Sequence, residues 1–340
     1  MPVENYVSRY LVVVVLFLAA GMAWLGNPTV VLARDGATIL QSAQKQFNAG
    51  NYSSAITTLQ SGATQNPDNA EIFYWLGRNY YELRDYENAI AQAEKSVQID
   101  PKNSLYHMWL GRAYGEKADR EHSFSIAKKV KKEFQDAVRL NPSNLQARRD
   151  LEEYDIDAPW IVGGNKDEAK AQVEAIAAID PVEGRLARAV LYLELMKKPD
   201  LAEHEYREVL KAAPDHVEPY IEVANFFVHQ NKAADVDVAT QAAAKVAPSD
   251  ARLGMYRGVW RVIAGTELPR AEEYLKSYLA STPDRSDWPS HASAREWLGR
   301  LYEAEGKRTE AAEQYRAALQ LDPGRKEARA RLQQLEKKSN

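Results

Sequence analysis

Eight prolines recur at near-regular intervals, and that period constrains the fold more than any other feature. They stand in QNPDN at Pro67, IDPKN at Pro101, LNPSN at Pro142, IDPVE at Pro181, AAPDH at Pro214, VAPSD at Pro248, STPDR at Pro283 and LDPGR at Pro323. The intervals are 34, 41, 39, 33, 34, 35 and 40 residues. Twelve residues before each proline sits a small or β-branched residue: Ala55, Ala89, Val130, Ala169, Ala202, Val236, Ala271 and Ala311. A period of this length is one supersecondary unit. Proline cannot continue a helix, so it ends the second helix of one unit and opens the turn to the next. The small residue lets two antiparallel helices approach closely. No such pair buries its apolar face alone, and stacked neighbours close one continuous core. The reading is an all-α, superhelical solenoid.

The second unit reads YWLGRNYYELRDYENAIAQAEKSVQIDP, with Leu76-Gly77, Tyr80, Ala89 and Pro101 in fixed spacing. Leu110-Gly111 and Tyr114 repeat the pattern in the third unit, and Leu298-Gly299, Tyr302, Ala311, Tyr315, Ala318 and Pro323 in the eighth. On these residues the chain resembles the tetratricopeptide repeat family. The match is specific in repeats two, three and eight. In repeats four to seven mainly the small residue and the proline survive. The resemblance implies a right-handed superhelix of about eight helix-turn-helix repeats over residues 36–325. Residues 326–340 then form a polar amphipathic helix that ends the array in water. Trp75, Trp109 and Trp297 each precede a Leu-Gly pair and read as core, with ligand stacking as the other reading.

Two repeats are longer than the rest. Repeat three carries about seven extra residues within GEKADREHSFSIAKKVKKEF, a stretch too charged for a core and helical in pattern. It is expected to lengthen both helices of its pair. Repeat four carries five extra residues, which put APWIVGG (158–164) in the turn between its helices. A glycine pair before Lys166 invites a phosphate-loop reading. That loop needs GxxxxGK[ST] after a strand, whereas here Asp167 follows the lysine and a helix is expected before it. The two insertions occupy equivalent turns of adjacent repeats and are expected to meet on one edge. Trp160, Ile161, Gly163, Gly164 and Lys166 are the candidate residues of that edge. Either they form a partner-binding edge, or the turn seals the lengthened helices with Trp160 and Ile161 packed on them. Asp155 and Asp157, at the preceding helix end, read as solvated turn residues or as a cation or turn-capping pair. The combination of both insertions is similar to one in an exported bacterial subgroup of tetratricopeptide proteins of unassigned function.

The resemblance also implies a concave groove lined by the first helix of each repeat, with the residue after Leu-Gly pointing into it. Here that residue is Arg78, Arg112 or Arg300. Arginine reads carboxylates through two parallel hydrogen bonds. Arg78 and Arg112, with Tyr74, Tyr81 and Met108 on the same side, are the candidate peptide-binding residues. The alternative is that these arginines pair with acids of adjacent repeats, such as Glu82 or Glu116. The family's clamp for chaperone-tail carboxylates does not carry over, because Leu40, Trp75, Leu105 and Trp109 occupy its positions.

No chemistry-bearing pattern stands beside this scaffold. The six histidines, His107, His122, His204, His216, His229 and His291, make no HxxxH pair, and no GxSxG is present. With no cysteine, thiolate catalysis, disulfides and cysteine-ligated zinc are excluded. A formal net charge of -4 argues against a nucleic-acid face. The expectation is a non-enzyme with no cofactor and no metal, whose partner is a protein or peptide. An adaptor is the first reading and a membrane-anchored structural scaffold the second. Residues 10–26, YLVVVVLFLAAGMAWLG, carry no charge and follow Arg9. Residues 1–33 are expected to be a signal peptide cut after Ala33 or a retained membrane anchor. Either places the body outside the cytoplasm.

Overall fold

Proline and asparagine together set the boundaries of the elements. Pro67, Pro101 and Pro142 each fall two residues past a helix end, and Asn69, Asn103 and Asn144 each stand two residues further on. Each asparagine side chain accepts a backbone N–H of the next helix: Glu71 and Ile72, Leu105, and Ala147 respectively. One short motif thus stops a helix and caps its successor. Pro181 departs from the expected role. Only Asp180 separates the two helices there, and Pro181 is the first residue of the second, where its missing N–H costs nothing.

The computed structural model describes residues 28–337. They form seventeen α-helices and no strand. Sixteen make eight pairs: α1 (Pro28–Asn48) with α2 (Tyr52–Gln65), α3 (Ala70–Glu82) with α4 (Tyr86–Ile99), α5 (Ser104–Glu121) with α6 (Phe124–Leu140), and α7 (Leu145–Asp157) with α8 (Lys166–Ile179). Then come α9 (Pro181–Val190) with α10 (Pro199–Ala212), α11 (Glu218–His229) with α12 (Ala233–Val246), α13 (Arg252–Ala264) with α14 (Leu268–Ser281), and α15 (His291–Ala304) with α16 (Arg308–Leu321). A last helix, α17 (Lys326–Lys337), packs Ala328 and Leu335 into the core of the final pairs. The stretch 10–26 lies outside the described residues. Among the described residues α1 runs from Pro28 through Ala33 to Asn48. Among the described residues, no helix is long and apolar enough to cross a membrane.

Ala55, Ala89, Val130, Ala169, Ala202, Val236, Ala271 and Ala311 are all buried, none more than 3 % exposed. In repeats two, three and eight the glycine of the Leu-Gly pair lies against the second helix of its own pair. A Cβ on Gly111 would lie 2.5 Å from Phe134 Cε1, well inside contact distance. That helix crossing therefore requires glycine. Repeat four breaks the rule, because Glu152 follows Leu151 where Gly77, Gly111 and Gly299 stand in their repeats. The seven residues inserted in repeat three lengthen both its helices, to 18 and 17 residues where α3 and α4 have 13 and 14.

One connection is longer than the others. Nine residues, 282–290, join α14 to α15, where four join α2 to α3. They form a strap that reaches back across the superhelix to the first two repeats. Tyr52 donates its hydroxyl to the Asp284 carbonyl, and the Ser286 N–H and hydroxyl both donate to the Glu82 carboxylate. The Arg285 guanidinium lies 5.3 Å from the Phe47 ring centre. Gly50, at φ +75°, admits the strap: a Cβ there would meet Pro283 Cβ at 2.6 Å. Inside the strap, the Asp284 carboxylate accepts the His291 N–H and Arg285 pairs with Asp287. The array is therefore tied end to end across more than 200 residues of sequence.

Candidate protein-binding chamber

The concave side is divided by the strap, with Ser286 and Asp287 facing a chamber on each side. The larger chamber encloses about 1120 Å³ between α3, α5, α6, α7 and the turn at 158–162. The smaller, about 560 Å³, lies among α11, α13 and α15. Ligand pockets commonly run from about 300 to 1000 Å³, so the larger chamber can take several side chains of a partner.

The expected groove residues separate into packed and open ones. Met108 is fully buried and offers no surface to a ligand. Tyr74 is buried too, and its hydroxyl takes a hydrogen bond from Arg78 at 3.0 Å. Arg78 lies 3.5 Å above the Trp109 ring centre and within 6 Å of Phe47, Tyr74 and Trp75. The space around it measures only about 10 Å³. Cation–π contact in a dry aromatic box fixes this guanidinium. Arg112 lines the large chamber, but Asp150 of the next repeat holds it with two hydrogen bonds of 2.6 and 2.9 Å. Pairing with an acid of an adjacent repeat is thus the reading the geometry favours for Arg112, with Asp150 in place of Glu82 or Glu116. Tyr81 also lines the chamber and donates its hydroxyl to Glu116.

The two insertions meet. Lys131, from the lengthened α6, binds Asp155 at 2.9 Å, Glu168 at 2.8 Å and the Gly163 carbonyl. Tyr154 donates to the carbonyls of Ala127 and Val162. Asp155 is therefore buried, contrary to its reading as a solvated turn residue, because Lys131 draws it inward. Asp157 is exposed. A single 3₁₀ turn, Trp160–Val162, closes the insertion. Val162 packs inward, while Trp160 is 84 % exposed and Ile161 51 %. The expected packing of Trp160 and Ile161 on the helices does not occur; their neighbour Val162 performs it. Gly163 adopts φ +109°, Gly164 lies against the Ala158 carbonyl, and Lys166 is exposed at the start of α8.

Among the described residues one cluster has the spacing of metal ligands: His107, Glu133 and Asp136, with ligand atoms within 4.8 Å of one another. Its lone pairs are spoken for. His107 Nδ1 lies 2.6 Å from Glu133, and Nε2 faces the Pro101 carbonyl at 3.1 Å, which demands an N–H there. The bond to Glu133 raises the His107 pKa against the opposing effect of burial. Asp136 is bound by Lys132 and Arg139. This is an ion-paired staple between α5 and α6.

The strap is the site element that the sequence reading missed. Its signal was present in the 40-residue interval from Pro283 to Pro323, as long as those of the two recognised insertions.

A family model for the tetratricopeptide repeat matches residues 40–104 and 263–326. No curated protein matches the chain. Among solved structures, a thermophilic tetratricopeptide protein of Thermus thermophilus is 24 % identical, over 57 % of this chain and 99 % of its own, with a TM-score of 0.46. A tetratricopeptide repeat protein of Parabacteroides merdae is 13 % identical, over 89 % and 99 %, with a TM-score of 0.43. The Cut9–Hcn1 hetero-tetramer of the APC/C is 12 % identical, over 87 % and 55 %, with a TM-score of 0.49. The chain thus carries tetratricopeptide repeats at residues 40–104 and 263–326, and the same buried small residue and proline recur in every helix pair between them.

Proposed function

We propose that this chain is a non-catalytic adaptor that takes up a segment of a partner protein in the larger chamber. The fold supports a protein-interaction role, and tetratricopeptide repeat proteins are generally non-catalytic. The observation that carries the placement is the chamber itself, whose apolar floor of Val130, Tyr154 and Val162 is held open by the paired insertions. Gly115 on its wall gives a clean test. The nearest atom to a Cβ built there is Val130 Cγ1 at 4.0 Å, so Gly115→Trp starts from an uncrowded position and puts a bulky ring into the chamber. Partners captured from native extract by the unaltered chain are expected to be lost with Gly115→Trp, at unchanged helical content. Retention of every partner would end the reading. The exposure of Trp160 and Ile161 supports a second surface on the insertion edge. Partners kept by Gly115→Trp but lost with Trp160→Ala and Ile161→Ala belong there, and partners indifferent to both changes favour the scaffold reading.

The same proposal places the body outside the cytoplasm, on the strength of the uncharged stretch 10–26. Cell fractionation with N-terminal sequencing tests it. An N-terminus at Arg34 means a cleaved leader, and an intact one in the membrane fraction means an anchor. A cytosolic protein would rule the placement out.

A further inference from the structure

We infer that the segment accepted by the larger chamber is cationic and amphipathic, with lysine or arginine facing α7 and apolar side chains on the floor. The inference rests on the uptake reading above and adds the chemistry of the partner. Glu153 and Asp157 stand one turn apart on α7, and with Asp119 of α5 they line the chamber. Among the described residues none of the three has an ion pair. The one arginine on the wall, Arg112, is already neutralised by Asp150. Burial, then Asp150 and Asp157, push the Glu153 carboxyl above its usual range, and the more distant Arg149 and Arg112 only oppose that rise. A cation placed between them relieves that repulsion. An acidic segment or a free carboxyl terminus adds to it.

The strap supplies an independent indication from the same channel. It is a piece of polypeptide already docked on the first helices of the repeats. Its recognition runs through donors on an acid, Ser286 on Glu82, and a cation on an aromatic ring, Arg285 over Phe47. The open half of the channel repeats that chemistry with its acids unpaired.

The test titrates the full-length chain against two short labelled peptides by fluorescence anisotropy, one alternating lysine with leucine and one alternating glutamate with leucine. The lysine peptide is expected to bind about tenfold tighter, with the preference shrinking as salt rises. Glu153→Gln combined with Asp157→Asn is expected to remove most of that preference. Equal or tighter binding of the glutamate peptide overturns the inference. So does failure of the lysine peptide to bind, or a preference untouched by the double variant. Gly115→Trp separates this failure from that of the uptake reading. If the unaltered chain binds both peptides alike and Gly115→Trp abolishes both, the chamber stands and the charge assignment falls. If it leaves all binding intact, the chamber is not the site.

Discussion

Reversing the charge at Glu82 is expected to open the array. Glu82 is where the strap is held, since its carboxylate takes both the N–H and the hydroxyl of Ser286. Hydrogen bonds to a charged group contribute roughly 1.5–3 kcal/mol each. Glu82→Arg removes both acceptors and sets a cation opposite Arg285, which sits over Phe47 nearby. What remains is the Tyr52 bond to Asp284 and the contact of Gly50 with Pro283, both on the same strap. The core of each repeat pair is local and survives the change, because a solenoid's repeats are held by their neighbours. The expected result is a folded protein whose first and seventh repeats move apart. The chain has no cysteine, so Ser53→Cys and Ser281→Cys, both at exposed positions, place two spin labels without background. The distance between them should lengthen and broaden in the Glu82→Arg chain, at unchanged helical content. An unaltered distance would show that the curvature of the helix stack, and not the strap, brings the ends together. Opening also removes the shared wall of the two chambers, so segment uptake should weaken in the same variant.

What the sequence shows and what it conceals divide along the distance between partners. The repeat is legible because its determinants are local. Ala89 lies twelve residues before Pro101, Asn69 two after Pro67, and each acts within its own helix pair or the next turn. Even the meeting of the two insertions is legible, since adjacent repeats place equivalent turns side by side. The arginines are only half so. Arg112 has Glu116 within one turn and Asp150 one repeat on, and the superhelical stagger, which no local pattern encodes, selects Asp150. Arg78 reads as a groove residue until four aromatic rings are seen around it, one of them, Phe47, from the preceding repeat. For Trp160 and Val162 the turn decides. Both are apolar, and a 3₁₀ turn of three residues sends one inward and the other to solvent. The strap is least legible, because its partners lie more than 200 residues away and nothing near Ser286 announces Glu82.

Glu152 is expected to make the stability of the array fall as pH rises from about 5 to 8. The residue is legible as an anomaly, a glutamate one place after Leu151 where its sister repeats carry glycine. Its side chain is 1 % exposed and neither carboxylate oxygen has a hydrogen-bond partner. The nearest cation, Arg149, is 3.9 Å away and is shared with Glu222 at 3.0 Å and Glu183 at 3.6 Å. Burial raises the Glu152 pKa from 4.5 to about 8, with Arg149 opposing and Glu222 and Glu153 reinforcing. At neutral pH the folded protein thus holds a proton that the unfolded chain has released. Between the two pKa values the native state binds more protons, so stability declines with pH across that window. At about 1.4 kcal/mol per unit, the difference between pH 5 and pH 8 is on the order of 4 kcal/mol. The neutral form also leaves Arg149 to Glu183 and Glu222, which tie repeat four to repeats five and six. Glutamine has the same shape and no charge to lose. Thermal melts at pH 5 should therefore coincide for the wild type and Glu152→Gln, while at pH 8 the variant should melt higher by roughly 5–10 °C. Parallel curves across the range would mean that Glu152 is ionised throughout and that Arg149 compensates it fully.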